Sequence, residues 1–363
     1  MLLRIAVVKS SVYQDLWVSD ITQDPFHVFK TSMMRCPAVG LSEKFATDYI
    51  IVKESWEYPC QVNKNCLPED CISSMKYSKE RKNPSLSFLD ESYHGYCTLD
   101  SVAHDAASID WSVYTMVLCI NTCIPAIIIQ QYRSTLWCYW VGENEENLVQ
   151  RPLANYNLIL NQDVTKVLPS GIGFPYTFLG PNTMERFIEE NGMKFPGKYG
   201  IYMEINTTNE RPVRTIPEDF QYISYMTCMP IIKHHQNILT NLSHIARSKY
   251  YVKIAGRIIR GNSVLETISA GTLVLANRNL LMYSDLVPDE CHVVSREDVI
   301  QRILYYEANP PAYVAVLEKQ RDILRRLYFD QPVERLLAKY SEFMKNITPS
   351  RCLTISPILC TEL

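Results

Sequence analysis

The chain has 363 residues, with 36 basic and 39 acidic side chains and a formal net charge of −3. Hydrophobic residues make up 47% of it and charged residues 21%, which is ordinary for a globular protein and excludes a disordered or fibrous chain. The small net charge excludes a global field that recruits nucleic acid or an anionic membrane, so we expect anion binding only at a local site. The length favours two domains.

The first half of the sequence predicts an α/β domain, because apolar runs alternate with helix-length segments. Residues 54–92 interrupt this alternation and are predicted to form an insertion or a long loop. The predicted strands are residues 2–8, 49–52, 114–120, 136–141 and 156–160, and the predicted helices include residues 42–47 and 99–107.

Neither a signal peptide nor a membrane span is predicted. The apolar run at residues 2–8 is broken by Arg4 and reads as a buried first strand. The long apolar stretch 113–129 is interrupted by Asn121, Thr122 and Pro125. We therefore expect a cytoplasmic protein.

The twelve cysteines are predicted to be reduced thiols, because the cytoplasm does not favour disulfides. Several of them lie inside apolar runs, where cysteine packs as a small hydrophobic residue. A second group lies in a polar segment, but without the CxxC or HxxxH spacing of a zinc site. The first group is Cys119, Cys123 and Cys138; the second is Cys60, Cys66 and Cys71.

A Gly- and Pro-rich segment at residues 168–200 contains six of the twelve glycines and predicts the junction between two domains. We expect an N-terminal α/β domain at residues 1–192 and a C-terminal α/β domain at residues 193–345. Residues 346–363 are expected to form a tail that packs back on the first domain.

The α/β alternation resumes in the second half. The fold predicted for the whole chain is therefore two Rossmann-like α/β domains that face each other across a cleft, where such proteins bind their ligands. The predicted strands are residues 199–205, 222–226, 250–254 and 272–276, and the predicted helices are residues 231–247, 262–270, 299–307 and 312–327.

The segment at residues 250–277 carries the most informative motif. Gly261, Asn262 and Ser263 open the predicted helix after a strand, and the free backbone N–H groups there attract a phosphate. Arg257 and Arg260 in the preceding loop add forked cationic donors that suit a diphosphate. Together these residues predict a nucleotide-diphosphate site.

Glu266, one turn into that helix, has the chemistry to accept both hydroxyl groups of a ribose. Residues 262–275, NSVLETISAGTLVL, resemble the donor-binding signature of GT-B glycosyltransferases, and in particular that of the exostosin-like group. The resemblance implies that Glu266 binds the ribose of a nucleotide sugar, with a UDP-sugar as the default donor. It further implies that the first domain holds a glycan acceptor and the catalytic base.

Two positions depart from the family pattern. Ser263 occupies the place of an arginine that binds phosphate, so Arg257 or Arg260 would have to supply that charge. Ile258 occupies the place where many retaining enzymes of this fold carry a glutamate, which favours an inverting enzyme.

A second basic loop follows the first strand of the second domain. Arg211 and Arg214 lie where the first βα loop of a nucleotide-binding domain faces the cleft, and this loop is similar to the family's arginine-bearing loop. We expect both to contact the donor, Arg211 ahead of Arg214. The alternative is a solvated loop with two surface arginines.

Inverting transfer needs a base that removes the proton of the acceptor hydroxyl. Asp15 follows the first strand, and His94 lies in the SYHGY segment, which we expect to be able to reach the cleft, so these two are the candidates. No DxD motif follows a strand, and we expect no tightly bound cofactor and no required metal.

Two other classes of protein are alternatives to a glycosyltransferase. A two-domain protein that binds a nucleotide or sugar without chemistry is consistent with the same motifs. An enzyme that uses a dinucleotide or a methyl donor is disfavoured, because no GxGxxG follows a strand. The oligomeric state is not predicted.

Overall fold

The computed structural model describes residues 3–10, 41, 44–52, 104–120, 122–141, 153–161, 172–175, 180–190, 192–193, 197–204, 216–234, 238–256, 258 and 262–347. Within these ranges the chain forms two separate sheets, and every strand pairing in them is parallel. The predicted fold class, α/β with two Rossmann-like sheets, is confirmed.

The first sheet has the strand order β2-β1-β3-β4-β5-β6 in the described part of the chain. Helix α1 (Ala126–Gln131) connects β3 to β4, and helix α2 (Pro181–Glu190) follows the last strand. The strands are β1 (Arg4–Ser10), β2 (Ala46–Val52), β3 (Met116–Ile120), β4 (Leu136–Val141), β5 (Leu158–Asn161) and β6 (Ile172–Gly173).

Both faces of the first sheet are buried, as is usual for parallel sheets. Alternate residues of one strand enter different apolar clusters: Leu118 faces one and Cys119 the other. Cys119, Cys123 and Cys138 are all buried, so the prediction that they pack inside the apolar core is confirmed, and their reduced state remains a prediction. Cys60, Cys66 and Cys71 lie outside the described residues.

The second sheet has the order β10-β9-β7-β8. One helix follows each of its first three strands in chain order, and three further helices form the C-terminal part of the described chain. The strands are β7 (Ile201–Met203), β8 (Ile231–Lys233), β9 (Tyr250–Lys253) and β10 (Leu273–Ala276). The helices are α3 (Glu218–Thr227), α4 (Ile238–Arg247), α5 (Asn262–Ser269), α6 (Arg296–Ala308), α7 (Pro310–Leu324) and α8 (Gln331–Ile347), with a π-helical turn at Arg325–Asp330 between the last two.

Four predicted elements were wrong. Residues 222–226 belong to helix α3, because Pro217 and two acidic residues open a helix whose Phe220 and Ile223 are buried on one side. The predicted helix 231–247 is instead strand β8 followed by α4, and the predicted helix 42–47 runs into strand β2. The described part of the predicted helix 99–107 contains only a 3₁₀ turn.

Gly200, immediately before β7, is required by its backbone. Its φ is +79°, and a Cβ atom there would lie 2.8 Å from the carbonyl oxygen of Pro230. Any side chain would therefore push β7 away from β8, the strand beside which it pairs. This glycine belongs to the junction segment singled out in the sequence.

The closing helices join the two sheets. The buried cluster on one face of the first sheet continues through the second sheet to Val333 and Leu336 of α8. Helix α8 packs against β6, and Lys44 forms an ion pair of 2.8 Å with Asp330. Helix α8 therefore returns to the first sheet. The domain limits 1–192 and 193–345 and the packing of a tail at 346–363 remain predictions.

No helix in the described ranges is both long enough and apolar enough to span a bilayer.

Gln320 of α7 completes the outer edge of the second sheet. Its fully buried amide accepts a hydrogen bond from the N–H of Val274 at 3.0 Å and donates to the carbonyl oxygens of Val274 and Leu286, both at 2.9 Å. Strand β10 is an edge strand, so these bonds replace those that another strand would make.

We predict that Gln320→Leu lowers the free energy of unfolding by about 3 kcal/mol, because it leaves three buried backbone groups without a partner. Urea denaturation measures this loss. Gln301→Leu, at an exposed position of α6, is the control and should change stability little. An equal, small effect of both substitutions would contradict the role of Gln320.

Lys198 ties together two helix ends at the amino edge of the second sheet. Its Nζ donates to the carbonyl oxygens of Ala246 at 2.6 Å and Ala270 at 2.9 Å, and to the hydroxyl of Thr272 at 3.1 Å. These carbonyls belong to the ends of α4 and α5, where helices lack internal partners. Burial, with a smaller contribution from Arg321, lowers the pKa of Lys198 to about 8.

The folded protein therefore holds this proton less tightly than the unfolded chain, whose lysine has a pKa of 10.5. Stability contributed by this group rises with pH between these two values. We predict that the free energy of unfolding of the wild type, relative to Lys198→Met, increases by about 2 kcal/mol from about pH 8 to about pH 10. Lys345→Met, at an exposed site, is the control for urea denaturation at both pH values. Parallel pH profiles for wild type and Lys198→Met would contradict the assignment.

Candidate functional site

The carboxyl edge of the second sheet contains a topological switch point. Strand β7 lies between β8 and β9, so the connections that follow β7 and β8 lead to opposite sides of β7. The switch point leaves a crevice at the carboxyl ends of β7 and β9, and α/β proteins bind ligands in such crevices. Glu204 follows β7 directly, and helix α5 follows β9.

Glu204 links the two sides of this crevice. Its Oε2 atom accepts a hydrogen bond of 2.5 Å from the hydroxyl of Ser263 and another of 3.1 Å from the hydroxyl of Tyr251. Ser263 is in the first turn of α5 and Tyr251 in β9, and both are buried, whereas Glu204 is half-buried. The carboxylate of Glu204 therefore lies at the carboxyl end of β7 and is oriented by the buried hydroxyls of Ser263 and Tyr251.

The Tyr251 hydroxyl stays protonated and acts as a donor. Burial first, and then the charge of Glu204, raise the pKa of Tyr251 well above its usual range, while the hydrogen-bonding influence of Ser263 opposes this shift. The ring of Tyr251 stacks on that of Tyr202 at a centroid distance of 5.6 Å. The stack fixes the direction in which the Tyr251 hydroxyl points.

The polar network continues towards β8. The Tyr202 hydroxyl donates to Oδ1 of Asn241 in α4 at 3.0 Å, and Nδ1 of His234 lies 2.7 Å from the same hydroxyl. His234 is exposed at the end of β8. Hydrogen-bonding side chains thus follow three neighbouring strands at one edge of the sheet.

Glu266 lies one helical turn after Ser263 and is only 2% exposed. The spacing of three residues places both on the same side of α5. Lys253 shares its strand face with Tyr251, two residues earlier, and is also buried. Glu204, which is half-buried, is therefore the more accessible of the two carboxylates.

The structure brings together two of the ten predicted site residues, Ser263 and Glu266, and joins to them two that sequence reasoning missed, Glu204 and Tyr251. The sequence could have indicated Glu204, because it is the first polar residue after a buried strand, and that strand borders the switch point. Asn262 begins α5, but its side chain is not described. The other predicted residues lie outside the described ranges: Asp15, His94, Arg211, Arg214, Arg257, Arg260 and Gly261.

The hydroxyl of Ser263 is already engaged by Glu204. Where the resembled family has a cation at this position, this chain has a neutral donor bonded to an anion. Ser263 therefore adds no positive charge to the first turn of α5, where its backbone N–H is the donor that it contributes. Among the described residues, no cluster of three or more histidine, cysteine or acidic side chains has the arrangement to hold a metal ion.

No protein-family model matches the chain, and no curated protein matches it in sequence. Solved structures resemble it over most of its length. A UDP-forming α,α-trehalose-phosphate synthase from Burkholderia xenovorans covers 94% of this chain and 100% of its own at 10% identity, with a TM-score of 0.44.

Two other structures are similar to the same degree. BGT of phage T4, in complex with UDP and Mn2+, covers 97% of this chain and 100% of its own at 12% identity and a TM-score of 0.41. UDP-GlcNAc 2-epimerase from Neisseria meningitidis, bound to UDP-GlcNAc, covers 94% and 100% at 10% identity and a TM-score of 0.43. Likeness at these scores assigns no activity to this chain, and the exostosin-like subgroup remains a prediction.

We predict that Glu204→Leu lowers the free energy of unfolding by about 1–3 kcal/mol, because it leaves the buried hydroxyls of Tyr251 and Ser263 without an acceptor. Glu204→Gln keeps an acceptor oxygen and should cost less. Urea denaturation of both variants, with the exposed Glu334→Leu as control, measures the difference. A Leu variant as stable as the Gln variant would show that the two hydrogen bonds are not formed.

Proposed function

We propose that the chain is a glycosyltransferase that binds a nucleotide-diphosphate sugar at the carboxyl edge of its second sheet. The observation that carries this proposal is the grouping of Glu204, Ser263 and Glu266 at the switch point between β7 and β9. Carboxylates at this place are suited to accept hydrogen bonds from ribose hydroxyls, which is the chemistry inferred from the sequence motif.

Glu266 is buried in this structure, so the proposed complex requires that its carboxylate becomes accessible. In that complex, Glu266 accepts the hydroxyls of the ribose and the first turn of α5 faces the diphosphate. Free backbone N–H groups at a helix N-terminus attract phosphate oxygens. Because Glu204 adds negative charge next to this turn, cationic side chains must offset it. We assign that role to Arg257 and Arg260, and to Arg211 and Arg214.

Glu204 has a separate role in this proposal. Its two hydrogen bonds both fall on Oε2, so within the described part of the chain Oε1 keeps no partner. We propose that Oε1 accepts a hydrogen bond from a hydroxyl of the donor sugar or of the ribose. Tyr251 and Ser263 then act as positioning residues, because they hold the carboxylate in place.

We propose UDP as the nucleotide, a glycan or glycoconjugate as acceptor, and inversion at the transferred sugar. Asp15 or His94 is the proposed base that takes the proton of the acceptor hydroxyl. Support for inversion is Ile258, which stands where retaining enzymes of the resembled family carry a glutamate. Support for transfer without a metal is the lack of a DxD motif after any predicted strand.

Binding of nucleotides tests the site. We expect UDP to bind with an affinity that calorimetry measures, and Glu266→Gln to weaken it about tenfold or more, since hydrogen bonds to a charged group contribute about 1.5–3 kcal/mol. Glu334→Gln, an exposed glutamate of α8, should bind UDP like the wild type. Equal affinity of the wild type and Glu266→Gln for UDP would show that Glu266 does not bind the ribose. GDP and CMP, measured alongside, identify the base.

Turnover separates an enzyme from a binding protein. We expect the wild type to release UDP from a UDP-sugar, faster with a glycan acceptor present, and to do so after treatment with a chelator. Binding of UDP without any release from a panel of UDP-sugars would favour the alternative, a two-domain nucleotide-binding protein without catalysis.

A further inference from the structure

The protonation of His234 is fixed by a hydrogen-bond chain behind it. The hydroxyl of Tyr202 donates its proton to Oδ1 of Asn241 at 3.0 Å, and Nδ1 of His234 lies 2.7 Å from the same hydroxyl oxygen. A hydroxyl group has only one proton to donate. Because Asn241 accepts that proton, Nδ1 of His234 must donate to the Tyr202 oxygen. Neutral His234 therefore carries its proton on Nδ1, and its Nε2 atom is a hydrogen-bond acceptor.

The groups that orient the His234 imidazole are packed inside the domain. Tyr202 is fully buried and Asn241 is only 6% exposed. The ring of Tyr202 meets the imidazole at a centroid distance of 6.3 Å and stacks on Tyr251, which in turn donates to the carboxylate of Glu204. One packed unit thus orients two side chains that follow neighbouring strands, Glu204 after β7 and His234 after β8.

Glu204 and His234 are neighbours across these two strands. Met203 pairs with Lys233 at the ends of β7 and β8, and the backbone N–H of His234 donates to the carbonyl oxygen of Met203 at 3.1 Å. The next residue of each strand continues this register, at a strand spacing of about 4.8 Å. Since side chains alternate between the faces of a sheet, Glu204 and His234 share the face of Tyr202. His234 is exposed and Glu204 is half-buried.

The groups at the carboxyl edge follow the order of the strands. The first turn of α5 follows β9, Glu204 follows β7 and His234 follows β8. Two strand spacings, about 10 Å, separate β9 from β8. In the complex proposed above, the ribose and the diphosphate lie at α5. The part of the donor that extends across β7 towards β8 is then the sugar beyond the diphosphate.

The chemistry of the two side chains restricts that sugar. The hydroxyl groups of a neutral hexose or pentose can donate to both Oε1 of Glu204 and Nε2 of His234. A uronic acid would bring a second carboxylate next to that of Glu204, and like charges at such a distance repel. Lys233 lies on the opposite face of the sheet and does not offset this repulsion. The pair therefore favours an uncharged sugar.

We propose that His234 is a specificity-determining residue for the transferred sugar: its Nε2 atom and Oε1 of Glu204 accept hydrogen bonds from hydroxyl groups of a neutral sugar. Tyr202 and Asn241 are positioning residues, because they fix the proton of His234 on Nδ1. The proposal rests on the function proposed above, since it places the nucleotide part of the donor at α5.

Calorimetry with UDP and with UDP-sugars separates the sugar from the nucleotide. The measurements use about pH 8, above the ordinary pKa of histidine. We expect at least one of UDP-glucose, UDP-galactose and UDP-xylose to bind, and His234→Ala to weaken its binding about threefold or more, as for the loss of a neutral hydrogen bond. UDP should bind His234→Ala and the wild type equally. UDP-glucuronate should bind the wild type more weakly than UDP-glucose does.

The control variant is Gln301→Ala, at an exposed position of α6, which should leave every affinity unchanged. Nitrogen chemical shifts of the His234 imidazole report its tautomer directly. We expect a protonated Nδ1 in the wild type. Tyr202→Phe removes the acceptor of that proton, so it should release the tautomer and weaken the UDP-sugar but not UDP.

Three results would overturn this proposal and leave UDP binding at α5 intact: equal affinity of the wild type and His234→Ala for the UDP-sugars that bind, a wild-type His234 protonated on Nε2 instead of Nδ1, or tighter binding of UDP-glucuronate than of UDP-glucose. An equal loss of UDP and UDP-sugar affinity in His234→Ala would also overturn it, because His234 would then contact the nucleotide. A wild type that does not bind UDP would contradict the function proposed above, and this inference with it.

Discussion

The hydrogen bond from Ser263 to Glu204 crosses the switch point of the second sheet, and the candidate site depends on it. Strands β7 and β9 are neighbours in space but are separated in the chain by α3, β8 and α4. Only the parallel order of the sheet brings the residue after β7 next to the first turn of α5. The bond of 2.5 Å then fixes the helix start against the strand end. Tyr251 adds a second, buried donor to the same carboxylate oxygen.

This arrangement sets the electrostatics of the site. A carboxylate next to a helix N-terminus is itself stabilised by the helix dipole. The negative charge of Glu204 therefore reduces the positive electrostatic potential that the N-terminus of α5 would otherwise offer to a phosphate. In the proposed complex, a diphosphate is therefore held by additional cations. The four arginines predicted from the sequence would then contribute more to donor binding than they would in a site with a cation at position 263. The half-buried Lys198 at the opposite edge and the buried Gln320 beside the outer strand stabilise the sheet that positions these residues.

Much of the fold was predictable, because buried parallel strands have continuous apolar sequences such as MVLCI and LWCYWV. Short elements were not. Residues 222–226 contain aromatic and branched side chains typical of a strand, yet the acidic first turn and tertiary packing make them helical. Strand β8 has only three residues, and its pairing with β7 is non-local.

The position of Ser263 and Glu266 on one helix was predictable from their spacing, but the role of Glu204 required knowledge of which strands are neighbours.

We propose that a nucleotide diphosphate binds where β7 and β9 end, and a crystal structure of the chain with UDP tests this proposal. We expect ribose hydroxyls within hydrogen-bonding distance of the carboxylate of Glu266 or Glu204, and the diphosphate at the first turn of α5. UDP bound at the amino edge, among Lys198, Ser269 and Arg321, or anywhere else away from α5, would contradict it.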